Sequence, residues 1–160
     1  MSLFKSRAAA PAAQASAGGS QPTGNQRRGQ TGEDAAVLYL QARGYKVVVR
    51  NWRPAKEASS VLRGEIDCIA WHGKTLVFVE VKARTSNQQG TPQEAVTPAK
   101  QRQLSRLANA YISYQRLPDT PCRFDVVEVW LAAGDEAPRL ALHQNAFDYC
   151  EGSRRGARIF

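Results

Sequence analysis

The sequence contains few of the side chains that build disulfide frameworks or histidine and cysteine metal sites. Of its 160 residues, three are cysteines and two are histidines. Cys68, Cys122 and Cys150 are odd in number and widely spaced, without a CxxC pair. This pattern predicts reduced thiols in a cytoplasmic protein and argues against a cysteine-based zinc site. His72 and His143 are too few for most histidine-metal chemistry.

Long hydrophobic runs are also lacking. No stretch approaches the roughly 18 apolar residues that a membrane-spanning helix needs. Residues 1–19 have early basic residues and many alanines but no bulky apolar core, so they do not resemble a signal peptide. The overall hydrophobic content of 42% is nevertheless enough to bury a core, and 160 residues suit one domain with tails. We therefore expect a cytoplasmic protein that does not enter a membrane.

Positive charge is in excess, with a formal net charge of +8 and a pI near 9.8. Such a balance favours a polyanionic partner, nucleic acid above all. Residues 1–30 hold four basic residues and no acid, and residues 148–160 hold three arginines and two acids. The part between them therefore carries only +3 of the total. Basic tails raise non-specific affinity for polyanions through counterion release but do not define a shaped site.

The composition divides the chain into a central domain and two tails. Residues 1–30 are rich in Ala, Gly, Ser, Gln and Pro, which predicts a disordered basic tail. An ordered domain is predicted over residues 31–147, with Thr31 as the N-cap of a first helix and Gly44 just beyond its C-terminal end. Residues 148–160 are predicted to form a loose basic C-terminal tail.

The hydrophobic pattern of the domain predicts an α/β fold with a mixed β-sheet flanked by helices, in the order α-β-β-β-α-β-β. Thr97 followed by Pro98 predicts the start of the second helix, after a polar loop at residues 85–96. The segment 123–131 is apolar on both faces and predicts a strand covered on both sides. The predicted strands cover residues 45–50, 65–71, 75–82, 123–131 and 139–143.

Two strands joined by a predicted hairpin at residues 72–74 carry the residues that suggest chemistry. Strand residues two apart share a face, so Glu80 and Lys82 project together from the end of an apolar strand. Asp67 on the preceding strand can converge with Glu80, and two carboxylates bind a hard cation such as Mg²⁺ or Mn²⁺. An ammonium group beside them can orient a water molecule or stabilise charge that develops on phosphorus. The alternative is a strand-end ion pair, but the coincidence of the three residues with a polar loop favours a metal site.

Two further residues can join this site on grounds of helical geometry. Lys100 lies one turn before Leu104, in the stripe of the second helix that faces the sheet. It can reach the site or extend to solvent, and spacing leaves both interpretations open. Glu33 lies in the first turn of the predicted first helix, where spacing alone favours an interaction with the helix dipole over a metal contact.

The segments 64–67 (GEID) and 78–84 (FVEVKAR), separated by a short hairpin, resemble the PD-(D/E)xK nuclease superfamily. More narrowly, the chain resembles the YraN family of bacterial proteins, relatives of the archaeal Holliday-junction resolvases. The resemblance runs from about residue 29 to residue 147, so it covers everything except the tails. Further matching segments are residues 32–34, 51–53, 97–100, 123–125 and 145–147. One departure is that Ile66 stands where the superfamily label has a proline.

The resemblance implies a restriction-endonuclease-like core and assigns roles within it. The acids Asp67 and Glu80 correspond to metal-binding residues, the backbone carbonyl of Val81 to a further ligand, and Lys82 to a residue that assists the attacking water. In resolvase relatives a glutamate on the first helix also contributes to the metal site. The resemblance therefore favours Glu33 as a metal ligand over the helix-dipole interpretation. The candidate metal ligands are thus Glu33, Asp67, Glu80 and Val81, and the candidate catalytic residues are Asp67, Glu80, Lys82 and Lys100.

The expected function is a Mg²⁺- or Mn²⁺-dependent endonuclease that hydrolyses nucleic-acid phosphodiesters, with DNA, including branched or damaged DNA, as the expected substrate. A homodimer would suit symmetric cutting of the two strands of a junction. The alternative function is a non-catalytic DNA-binding or assembly module that retains the nuclease fold. A small-molecule hydrolase is disfavoured, because the sequence has no Ser/His or Cys/His constellation and no phosphate-cradling glycine-rich loop.

Overall fold

The computed structural model describes residues 24–55, 62–84, 96–131 and 137–150. Within these ranges the chain forms two helices and one five-stranded sheet in the order α-β-β-β-α-β-β, which confirms the predicted fold class. The elements are α1 (Gly24–Gln41), β1 (Tyr45–Trp52), β2 (Ile66–His72), β3 (Thr75–Arg84), α2 (Pro98–Gln115), β4 (Cys122–Trp130) and β5 (Arg139–Phe147).

The first helix begins earlier than predicted. It starts at Gly24, so Thr31 lies inside it and is not its N-cap. The segment 24–30 has two arginines and two glutamines, which favour helix, and it has no proline that would stop one. The helix ends near the predicted place, and Gly44 follows it with a φ of 83°, a conformation that glycine adopts at little cost. Of the predicted N-terminal tail, residues 1–23 lie outside the described part of the chain.

The sheet has the strand order β1-β2-β3-β4-β5. Three of its four pairings are antiparallel, and β3 and β4 are parallel because α2 crosses between them. The hairpin between β2 and β3 is confirmed, since His72 pairs with Thr75 and leaves a two-residue turn. Its first turn residue, Gly73, has a φ of 61°, as a tight hairpin requires.

One helix covers each face of the sheet. The apolar stripe of α2 is buried as predicted, and it packs against Leu76, Phe78 and Phe124 of the sheet. The opposite face of β3 packs against α1. The buried stripe consists of Leu104, Leu107, Ala108, Tyr111 and Ile112. The strand β4 is buried on both faces, as predicted. No helix in the described part of the chain combines the length and apolar character needed to cross a membrane.

The C-terminal boundary of the packed domain also differs from the prediction. The last strand continues to Phe147 rather than ending at His143. Tyr149 is buried with its ring centroid 4.6 Å from that of Phe124, and the backbone N–H of Cys150 donates to Ser105 Oγ at 3.2 Å. The residues directly after the strand are therefore packed, because an aromatic side chain fills space beside α2. Residues 151–160 and the predicted loop up to residue 95 lie outside the described ranges.

Candidate metal and catalytic site

Strand β3 changes character along the face that packs against α2. Leu76 and Phe78 are fully buried in the core beneath the helix. Glu80 continues the same face and is only 4% exposed, so a charged group stands at the margin of an apolar core. A buried carboxylate is costly unless it is paired or coordinated. The surroundings of Glu80 therefore define the site.

Asp67 is the nearest acid on the neighbouring strand. The paired residues of β2 and β3 end at Cys68 and Val79, and beyond them Asp67 Oδ2 accepts a hydrogen bond of 2.7 Å from the backbone N–H of Val81. Beyond the paired part of the two strands, the Asp67 side chain thus takes the place of a β2 backbone carbonyl as the acceptor for the Val81 N–H. Burial, followed by the charge of Glu80, raises the pKa of Asp67 to about 7, so the two carboxylates are close enough to repel each other.

Two lysines converge on the carboxylate of Glu80. Lys82 Nζ lies 2.8 Å from Oε1, and Lys100 Nζ lies 3.3 Å from Oε2. The second contact is an ion pair without hydrogen-bond alignment, because Oε2 is buried and accepts no hydrogen bond from the described residues. The structure therefore brings Lys100 into the cluster, and it leaves one oxygen of Glu80 with unused capacity to accept.

Glu33 lies at the edge of this group. Its Oε2 accepts a hydrogen bond of 3.1 Å from Asn51 Nδ2, and its charge contributes to the raised pKa of Asp67. Because α1 begins at Gly24, Glu33 is well inside the helix. The interpretation of Glu33 as a first-turn residue that interacts with the helix dipole is therefore wrong.

The donor set agrees with a hard cation. Among the described residues, no three His, Cys, Asp or Glu side chains form a ready-made metal cluster. Mg²⁺ commonly uses one or two carboxylates together with waters and substrate phosphates, and Mn²⁺ also favours oxygen ligands. Asp67 and Glu80 supply two carboxylates, and the unused Glu80 Oε2 is an oxygen that a cation would satisfy. These residues fit Mg²⁺ or Mn²⁺ and do not fit a structural zinc site.

A second polar group on the same face of the sheet was not singled out from the sequence. Glu128 on β4 accepts hydrogen bonds from Arg84 at the end of β3 and from His143 on β5. The signal was present, because Glu128 is a charged residue in a strand whose other positions on this face are apolar. Arg84 also continues the alternation that places Glu80 and Lys82 together.

The segment 123–125, one of those that match the YraN family, lies apart from the two acids. Asp125 is fully buried and accepts hydrogen bonds from Tyr45, Arg123 and the backbone N–H of Asn145. These partners come from β1, β4 and β5, so the group ties three strands together. Asp125 pairs with Val79, so its side chain lies on the sheet face opposite that of Glu80.

The chain is similar to a known protein family and to several of its members. The model of the "Uncharacterised protein family UPF0102" matches residues 32–129. A UPF0102 protein of Symbiobacterium thermophilum is 49% identical over 123 residues, which cover 77% of this chain and 98% of that protein. A UPF0102 protein of Geobacter sulfurreducens is 43% identical over 124 residues, which cover 78% and 91% of the two chains. The resemblance to the YraN family is thereby confirmed, and the chain belongs to the protein family UPF0102.

Proposed function

We propose that this protein is a Mg²⁺- or Mn²⁺-dependent endonuclease that hydrolyses phosphodiester bonds of DNA in the cytoplasm. The observation that carries the proposal is the convergence of Asp67 with a buried Glu80 whose two oxygens each face a lysine. Such a cluster at the end of an apolar strand costs folding free energy. A perturbed carboxyl pKa with specific charged neighbours is typical of functional sites.

Each residue has a distinct part in the proposed reaction. Asp67 and Glu80 would hold the cation, and the backbone carbonyl of Val81 and the carboxylate of Glu33 would be further ligands. When bound, the cation would supply Lewis-acid activation of the phosphate and a lowered pKa for the attacking water. Lys82 orients that water and offsets negative charge that develops in the transition state. Lys100 approaches from α2 and stabilises charge on the same phosphate.

Two features support DNA as the substrate. The net charge of +8 favours a polyanion, and the resemblance to relatives of the Holliday-junction resolvases favours branched DNA. Symmetric cutting of the two strands of a junction needs two active sites. A homodimer provides them, because its two copies present the same residues about a twofold axis. We therefore include a homodimer acting on branched or damaged DNA in the proposal.

The test is a cleavage panel of single-stranded, duplex, flap and four-way-junction DNA and of RNA, with Mg²⁺, Mn²⁺ or EDTA. We expect metal-dependent cleavage of at least one DNA by the wild type and its loss in Glu80→Gln. The matched control is Glu65→Gln, which makes the same chemical change at a residue that instead pairs with Arg53. Cleavage that survives in Glu80→Gln would reject the assigned site. DNA binding without cleavage by the wild type would favour the non-catalytic module.

A further inference from the structure

The polar face of the sheet extends beyond the candidate metal site. Lys82 pairs with Glu128 across the parallel strands β3 and β4, and Arg84 lies two residues beyond Lys82 on the same face. Glu128 therefore lies one strand spacing, about 5 Å, from Lys82 in the backbone. On the far side of β4, Val126 pairs with His143. The site thus continues sideways across three strands.

Glu128 anchors this extension as a buried anion. It is 5% exposed. Its Oε1 accepts from Arg84 Nε at 2.7 Å and lies 2.6 Å from Arg84 Nη2, and its Oε2 lies 2.8 Å from His143 Nε2. Burial by itself raises the pKa of Glu128, but the hydrogen bonds from Arg84 and then His143 outweigh it and lower the pKa. Arg84 and His143 thus occupy both carboxylate oxygens of Glu128.

Since both Glu128 oxygens already accept from the protein, the extension offers the remaining donors of Arg84. An arginine has five N–H donors, and two nitrogens of Arg84 are directed at Glu128, so that among the described residues Nη1 is left for another partner. The side chain is held in place and remains 16% exposed. A guanidinium fixed in this way matches the geometry of a phosphate. A further cation lies beyond it, since Arg139 stacks over Trp130 at 4.1 Å.

We propose that Arg84, oriented by Glu128 and flanked by His143, binds the DNA phosphate that neighbours the scissile one. This inference rests on the proposed function for the identity of the neighbouring site. The Cα atoms of Arg84 and Lys82 are about 7 Å apart along the strand. This distance is similar to that between successive phosphates of a DNA strand. The competing interpretation is an ion pair that only joins β3 to β4.

The experiment measures the dissociation constant for duplex and four-way-junction DNA in EDTA at several salt concentrations. We expect Arg84→Gln to bind about tenfold more weakly and to lower the salt-dependence slope by about one. Arg106→Gln is the control, because it removes the same charge from an exposed position on α2 and should bind nearly as the wild type does. The double variant Arg84→Gln/Glu128→Gln keeps the net charge of the wild type and leaves no buried charge unpaired. It should nevertheless bind as weakly as Arg84→Gln.

The outcomes separate this inference from the proposed function. If the double variant is folded by thermal unfolding and binds DNA as tightly as the wild type, the pair is structural and the inference is overturned. If the wild type binds DNA without cutting it and Arg84→Gln weakens binding, the inference stands and the endonuclease proposal fails. If the wild type cuts DNA, Arg84→Gln should raise KM far more than it lowers kcat. Wild-type protein that binds no DNA would overturn both.

Discussion

The carboxyl group of Asp67 has a pKa raised to about 7, first by burial and then by the charge of Glu80. In the absence of metal, the folded protein therefore keeps this group mostly protonated below about pH 7. A raised carboxyl pKa reduces stability as pH rises from the unfolded value near 4 to about 7, because the unfolded chain loses the proton more readily. The feature that would attract a cation therefore also destabilises the metal-free fold.

We predict that Asp67→Asn stabilises the metal-free protein at pH 8 and changes little at pH 4. The asparagine is neutral at both pH values and its oxygen can still accept from Val81. The gain in the free energy of unfolding should be on the order of a few kcal/mol, since each pKa unit corresponds to about 1.4 kcal/mol. Urea unfolding in EDTA at the two pH values measures it, with Asp148→Asn, an exposed site, as control. An equal change at both pH values would show that Asp67 does not carry this titration.

The helix α2 positions Lys100 through its N-cap. Thr97 Oγ1 accepts a hydrogen bond of 3.3 Å from the backbone N–H of Lys100, and Pro98 begins the helix. The first turn therefore depends on the threonine hydroxyl, and that turn carries the lysine to Glu80. A local capping interaction thus affects the geometry of the site.

Removal of this cap should affect both stability and cleavage. We predict that Thr97→Ala lowers the free energy of unfolding by about 1 kcal/mol. It should also lower the cleavage rate at temperatures where the protein remains folded, because a frayed first turn displaces Lys100. Thr97→Ser retains the hydroxyl and should behave as the wild type does in both assays. Loss of stability without any loss of cleavage would remove Lys100 from the catalytic residues.

Several elements could be predicted because their determinants are local. The Thr97-Pro98 pair marks the start of α2, and the alternation of β3 places Glu80 and Lys82 on one face. The start of α1 could not be predicted, since no strong capping signal competes with Thr31 and helix-forming residues precede it. The end of β5 was also missed, because its later residues are stabilised by pairing with β4 and by Phe124, which are distant in sequence.

The candidate site is assembled from segments that lie far apart in the chain. The hairpin pattern in the sequence predicts that Asp67 and Glu80 are neighbours. In the structure Asp67 accepts from the N–H of Val81, next to Glu80, and the charge of Glu80 raises the pKa of Asp67. Whether Lys100 would reach them could not be predicted, because that depends on how α2 crosses the sheet. The Glu128 cluster was missed for a similar reason, since Glu128 on β4 has partners from two other strands, β3 and β5. Contacts between distant segments leave little trace in local sequence patterns.

The basic N-terminal region should contribute to DNA affinity without contributing to the fold. Deletion of residues 1–23, which precede α1, removes two positive charges and no acid. We predict weaker DNA binding with a salt-dependence slope smaller by up to about 2, and a melting temperature that barely changes. Binding measured across a salt series and thermal unfolding test both parts. A large loss of thermal stability would show that this region belongs to the fold.

Single-turnover DNA cleavage by the wild type and by Lys82→Ala, with DNA and Mn²⁺ binding measured in parallel, tests whether the protein is a metal-dependent endonuclease. Lysine is not a metal ligand, so Mn²⁺ affinity should be retained. Cleavage should fall about a hundredfold, as expected when one electrostatic contact in the transition state is lost. Lys74→Ala, which removes the same charge in the hairpin turn, should cut as the wild type does. If wild-type protein cuts no DNA with either metal and Lys82→Ala alters only DNA affinity, the endonuclease account is contradicted.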